Sequence, residues 1–265
     1  MSDHAFITVD RDGPVITITL ANAAKRNVLA LPTMVEITHA LENAGSSDAL
    51  AVVIAADGPV FSAGHNFGDM LGSSEDEARE LFDVCTNMMT LVQRLPQVVV
   101  AKVHALATAA GCQLVASCDL AVAAESAAFQ APGGKGGLFC HTPMVAIARA
   151  VGRKKGLEMA LTGDPIDART ACDWGLVNRV VPDAELDAAT ADLVARATRG
   201  SAASKAAGKE AYYAQVDMDQ GDAYDFASGV MAAGAVSADG QEGIASFVEK
   251  RRPEFLPPTG TPEPG

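Results

Sequence analysis

The chain has 265 residues, 49% of them hydrophobic but only 5% aromatic, and a formal net charge of −13 at pH 7. That length and apolar share suffice for one large domain with a sizeable core. The acidic balance, with no basic run longer than Arg153-Lys154-Lys155, argues against nucleic acid as a partner, because phosphate binding needs a positive patch.

The opening residues, MSDHAFITVD, lack the basic and apolar regions of a signal peptide, and no apolar run is long enough to cross a membrane. Five cysteines, none in a Cys-x-x-Cys spacing, fit free thiols in a reducing compartment, so the expected location is the cytoplasm. No His, Cys, Asp or Glu cluster has metal-ligand spacing, and no metal is expected.

In chain order, Val15 to Leu20 alternates apolar residues with threonine, which predicts a half-buried strand. Residues 21–30 read as a loop, and Pro32 opens a helix with Val35, Ile37 and Leu41 inward. Residues 51–56 form an apolar strand that stops at Asp57-Gly58-Pro59. A polar stretch at 72–76, open to motion, precedes an amphipathic helix over 77–95 with Leu81, Val84, Met88, Leu91 and Leu95 on one side. A strand over 98–104, a helix over 111–118 and a strand over 120–124 follow. This alternation predicts an α/β layered fold. After Pro182 the pattern is helical, at 184–199, 203–214, 222–236 and 239–251. The division is therefore a core of 1–199, a helical region of 200–256 and an unstructured tail of 257–265.

Two segments stand out. Each carries a buried strand into a small-residue turn and then a helix: Ser62-Ala63-Gly64 after 52–54, and Ala105 through Gly111 after 98–100. Such turns let a ligand approach the main chain, and the helix start leaves N–H donors unpaired. Two of them converging would form an oxyanion hole, suited to charge growing on a carbonyl oxygen.

FSAGHNFGDM at 61–70 is similar to the F-[CS]-A-G-x-D-[LI]-x-E-M pattern of the enoyl-CoA hydratase/isomerase (crotonase) superfamily. VHALATAAGCQLVASCDLAV at 103–122 resembles its V-N-G-x-A-x-G-G-G-x-E-L-A-x-x-C-D. The likeness continues through 149–182 and ends at DGQEGIASFVEKRRPEF, so it covers nearly the whole chain. HALATAAGCQLVASCD followed by GLFCHTP is most similar to the branch of enoyl-CoA hydratase domain-containing 3 proteins. The resemblance implies a spiral of ββα units with a C-terminal helical region. It also implies acyl-CoA thioesters as ligands, with coenzyme A as part of the substrate and no other cofactor. Assembly as a homotrimer or dimer of trimers, through the region after Pro182, is implied too.

Carried onto this sequence, the two oxyanion donors are the backbone N–H groups of His65 and Ala110. The two glutamates of family hydratases fall on Gln113 and Gly133, and neither residue can move a proton. Asn66 stands where the family has aspartate. Lys25 and Arg26, with Ala63, resemble the segment along the coenzyme A, and Phe247 and Lys250 resemble contacts to adenine and phosphate. Otherwise these cations belong to a solvated surface.

Among the remaining residues, His141 is the best replacement acid or base, or else a capping histidine, and activity is expected to depend on it more than on the His65 imidazole. Cys140 reads as a small buried hydrophobe or a nucleophile beside His141. His104 reads as a core histidine bonded to backbone, Lys135 as a solvated lysine and Asp119 as structural. The expected function is that of a nominal enoyl-CoA hydratase stabilising a thioester enolate. The alternatives are an isomerase, decarboxylase or thioesterase, a non-catalytic acyl-CoA carrier or sensor, and a structural partner subunit.

Overall fold

The computed structural model describes residues 4–258. The strands are β1 Ile7–Asp12, β2 Val15–Leu20, β3 Ala51–Ala56, β4 Val98–Val103, β5 Ala107–Thr108, β6 Leu120–Ala124, β7 Ala128–Gln130, β8 Ile166–Asp167 and β9 Arg179–Val181. The helices are α1 Leu31–Gly45, α2 Glu75–Arg94, α3 Ala110–Ser117, α4 His141–Val151 and α5 Arg153–Thr162, then α6 Ala168–Trp174, α7 Leu186–Ala197, α8 Ala202–Gln215, α9 Gln220–Val236 and α10 Ala238–Glu249.

The main sheet runs β1-β2-β3-β4-β6-β9, parallel except for the β1–β2 hairpin, and a small sheet runs β5-β7-β8. β4-β5-α3 and then β6-β7-α4 each give one strand to either sheet before a helix, which is the spiral of ββα units implied above. Parallel strands covered on both faces are apolar throughout rather than alternating. Val52, Ile54, Val99, Ala101 and Ala123 face the core shared with Met34, Ile37, Leu81 and Met88, while Ala51, Val53 and Val100 pack on Val194 of α7.

Several expectations shift in detail. α1 buries Met34, Ile37, Leu41 and Ala44, spaced three and four apart, and turns Val35 outward. The stretch thought open to motion is anchored: Ser74 Oγ accepts the Glu77 N–H while the Glu77 carboxylate accepts the Ser74 N–H. This reciprocal cap stabilises the helix start by about 1 kcal/mol, and α2 begins two residues before the sequence suggested. β1 has no amphipathic pattern to reveal it, because only Ile7 in it is buried.

The C-terminal helices begin where a buried ion pair holds them. Lys209 Nζ on α8 lies 2.7 Å from Asp119 Oδ2 and also donates to the Val92 and Gln97 carbonyls. Tyr213 Oη donates to Asp119 Oδ1 at 2.9 Å, and the Val99 N–H to Oδ2 at 2.7 Å. Burial raises the Asp119 carboxyl above its usual range despite the neighbouring ammonium. Asp119 is thus structural, but it closes α8 onto the core rather than a local turn. Of the tail expected at 257–265, all but the first two residues lie outside the described residues.

Candidate active site

The two small-residue turns meet. Phe61 N–H donates to Leu106 O at 2.9 Å and Thr108 N–H to Ser62 O at 3.0 Å, which lashes the first turn to β5. A Cβ on Gly111 would stand 2.6 Å from Ser62 O, so only glycine lets α3 approach this closely. Gly64, at φ +80°, turns its bare side to Thr108 O at 3.0 Å and the Ala110 nitrogen at 3.1 Å. Ala109 takes φ 51° and ψ −118°, a conformation suited to glycine, just before α3 begins. That strained residue turns the chain so that Ala110 starts the helix beside Gly64. Among the described residues, neither the Ala110 amide nor that of His65 has a backbone acceptor.

The segment holding Lys25 and Arg26 runs along the first turn. Ala63 N–H donates to Arg26 O at 3.0 Å, Leu29 N–H to Gly64 O at 2.8 Å, and Ser62 Oγ to Asn27 O at 2.8 Å. Asn27 in turn donates through Nδ2 to the Asp57 and Val60 carbonyls. Arg26 and Asn27 both adopt positive φ, which kinks the loop against the turn and leaves the Lys25 and Arg26 side chains exposed. Asn66 has its side chain taken up locally, accepting from Gly68 N–H and donating to Asp69 Oδ1 at 2.7 Å.

The His65 imidazole is held by contacts from two other segments. Its Nδ1 lies 3.2 Å from Leu29 O, and because a carbonyl only accepts, Nδ1 carries the proton. Phe82 of α2 meets the ring edge-on at 5.5 Å. Nε2 is buried without a partner, and burial lowers the imidazole pKa below its ordinary value, against smaller opposite pulls from the Leu29 carbonyl and the Asp69 carboxylate. Gln113 follows Ala110 by three residues on α3. It is buried, with its Oε1 also unpartnered.

Gly133 has no room for a side chain. A Cβ there would fall 2.1 Å from Leu138 O and 2.8 Å from Cys140 Sγ, which accepts the Gly133 N–H. Cys140 is buried and its thiol pKa is raised by that burial, as befits a packed thiol rather than a nucleophile. His141 opens α4. It is exposed, with its ring 5.0 Å from that of Phe139. His104 Nε2 bonds the Gly58 carbonyl at 2.8 Å. Lys135, read as solvated, is exposed and ion-paired with Asp164 at the surface. Phe247, 86% exposed, and Lys250 lie on or just past α10, which packs on α8 and α9.

Sequence reasoning missed three contributors: the Leu29 carbonyl, the Phe82 ring and the strained Ala109. Only Ala109 left a trace, since it stands in a turn where glycine would be the relaxed choice.

Residues 10–257 match the enoyl-CoA hydratase/isomerase family. The chain belongs to that family. It is 42% identical over 248 residues to the mitochondrial enoyl-CoA hydratase domain-containing protein 3 of Rattus norvegicus, covering 93% of this chain and 82% of that one. The crystal structure of human enoyl-CoA hydratase domain-containing protein 3 matches with a TM-score of 0.90 and 40% identity, over 94% of this chain and 99% of that one. An enoyl-CoA hydratase structure from Mycobacterium smegmatis matches with a TM-score of 0.91 and 41% identity, over 94% and 98% of the two chains. The crotonase fold and the resemblance to the domain-containing 3 branch both stand. The cytoplasmic expectation does not: the relatives of that branch in rat, mouse, frog, human and zebrafish are all named as mitochondrial.

Among the described residues no group of three or more His, Cys, Asp or Glu side chains could hold a metal ion, and no helix is long and apolar enough to cross a membrane.

Proposed function

We propose that this protein binds acyl-CoA thioesters with the carbonyl oxygen between the backbone amides of His65 and Ala110, and so stabilises an enolate. The observation that carries the reading is the contact of the two turns at Gly64, with both amides lacking an acceptor. Main-chain donors survive changes of side chain, so the chemistry does not depend on which residues occupy 65 and 110. Removing one such donor costs about a hundred- to a thousandfold in rate in other enzymes.

The reaction is of the enoyl-CoA hydratase/isomerase type, run without the usual pair of carboxylates. Gln113 cannot ionise, and the space at Gly133 admits no carboxylate without moving the loop. Crotonyl-CoA hydration is therefore expected far below that of a two-glutamate hydratase, and a rate within tenfold of one would contradict this account. Calorimetric titration with several acyl-CoAs, followed by product analysis, separates the readings: turnover supports an enzyme, and binding without turnover supports a carrier or sensor. Failure of every acyl-CoA to bind at millimolar concentration refutes both.

Lys25 and Arg26, exposed beside Ala63, are the cations placed to meet coenzyme A phosphates, with Asn66 shaping the same turn. Phe247 and Lys250 are proposed to reach the ligand of a neighbouring copy. α9 carries no buried residue, although Tyr224, Met231 and Val236 are each two-thirds or more exposed. Covering those side chains calls for a trimer or pair of trimers, and light scattering that reports a monomer at micromolar concentration refutes it.

A further inference from the structure

Proton transfer in this site lacks an owner. Gln113 and Gly133 have no exchangeable group of suitable acidity, and His141 is exposed on α4. Cys112 is buried with its thiol pushed up to about 12. Asp69 is exposed and engaged with Asn66 and, at 3.4 Å, with the Leu31 amide.

His65 is left, and its ring is prepared for the task. The Leu29 carbonyl holds the proton on Nδ1, so the lone pair is on Nε2. Phe82 fixes the plane of the ring. Nε2 is buried yet unpartnered, and a folded chain tolerates an unsatisfied buried acceptor where a ligand supplies the missing donor. The ring is one side-chain length from the amide that would hold the thioester oxygen. A carbonyl held on that amide brings the carbon next to it within the reach of one side chain.

We propose that the His65 imidazole is the base that takes a proton from that carbon and returns it; the proposal rests on the acyl-CoA reading above. In the forward step the C2–H bond breaks and its electron pair passes into the thioester as an enolate, whose oxygen lies on the His65 and Ala110 amides. The proton goes to Nε2, and the imidazolium keeps its Nδ1–H on Leu29 O. The positive ring next to the enolate, with the Asp69 carboxylate acting on it from the following turn, offsets the cost of charging a buried imidazole. Reversal restores both partners, so no oxidant or co-reactant is consumed.

The experiment follows deuterium incorporation at C2 of butyryl-CoA in heavy water, by mass spectrometry, with binding measured in parallel. The unsubstituted protein is expected to exchange, and His65→Ala and His65→Gln to bind butyryl-CoA but exchange a hundredfold or more slowly. Added imidazole is expected to restore exchange to His65→Ala, which a packing role for the ring would not allow. The exchange rate should fall only on acidification below the ordinary histidine pKa, because burial keeps the base neutral to lower pH. Binding without exchange in the wild type, or undiminished exchange in both variants, overturns the His65 assignment and leaves acyl-CoA binding intact. No binding by the wild type overturns the underlying reading.

Discussion

The place a Cβ would take on Gly64 lies 3.1 Å from the amide nitrogen of Ala110, so two turns 46 residues apart in sequence close on each other through a missing side chain. The positive φ of Gly64 and the neighbouring Thr108 carbonyl, 3.0 Å from the same point, leave a methyl group no escape. Gly64→Ala is expected to destabilise the fold by about 1–3 kcal/mol and to weaken acyl-CoA binding as the two amides separate. Thermal melting and calorimetry check both effects. An alanine variant with unchanged affinity would show that the amides act independently of this contact.

Gln113 and Gly133 respond differently to the same repair. Gln113 is close in volume to glutamate and its Oε1 has no partner to lose, so Gln113→Glu is expected to fold and to raise hydration of crotonyl-CoA. Gly133→Glu is expected to unsettle the loop and add nothing, because its first side-chain atom would stand 2.1 Å from the Leu138 carbonyl oxygen. Activity assays paired with melting curves distinguish the two outcomes.

The sequence made one half of this site legible and hid the other. Strand 15–20 announced itself through alternation, strands 51–56 and 120–124 through apolar runs, and the four helices after Pro182 through composition. The motifs placed His65 and Ala110 at strand-to-helix turns because glycine and alanine spacing is a local property, and the same motifs located Gln113 and Gly133. The state of each side chain is not local. The His65 ring depends on a carbonyl 36 residues earlier and on a phenylalanine of α2, and neither is signalled by its own neighbours. His141 looked suited to chemistry from its pKa class alone, and its exposure could not be read from the text around it. Lys135 is solvated as read, but its ion-pair partner, Asp164, lies 29 residues away and left no local sign.

Lys209 anchors the C-terminal helices. Replacing it with methionine leaves the Asp119 carboxylate buried with only the Tyr213 hydroxyl and the Val99 amide. Breaking a buried pair from one side costs about 3–5 kcal/mol. Lys209→Met is therefore expected to lower the melting temperature by roughly 6–20 °C. An unchanged melting curve would mean that α8 is held by packing alone.

Acid should loosen α10. The Arg251 guanidinium, helped by the Glu254 amide, holds the Glu242 carboxyl at a pKa of about 2. The folded pKa is depressed, so the contribution is full above the ordinary carboxylate value near 4.5 and is lost as pH falls toward 2. Wild type and Glu242→Gln should differ in amide-exchange protection of α10 at pH 6 and converge over that acidic window. A difference that persists to pH 2 would assign the effect to something other than this ion pair.

The central claim, a thioester carbonyl held by two backbone amides, has a direct spectroscopic signature. Infrared difference spectra of a bound acyl-CoA labelled with carbon-13 at the thioester carbonyl isolate that one vibration. Two donors at His65 and Ala110 polarise the bond, and the account predicts a carbonyl band shifted to lower frequency than in free acyl-CoA, with the shift retained in His65→Ala because the donor is main chain. A bound thioester whose carbonyl absorbs at the frequency of the free ligand in water would contradict it.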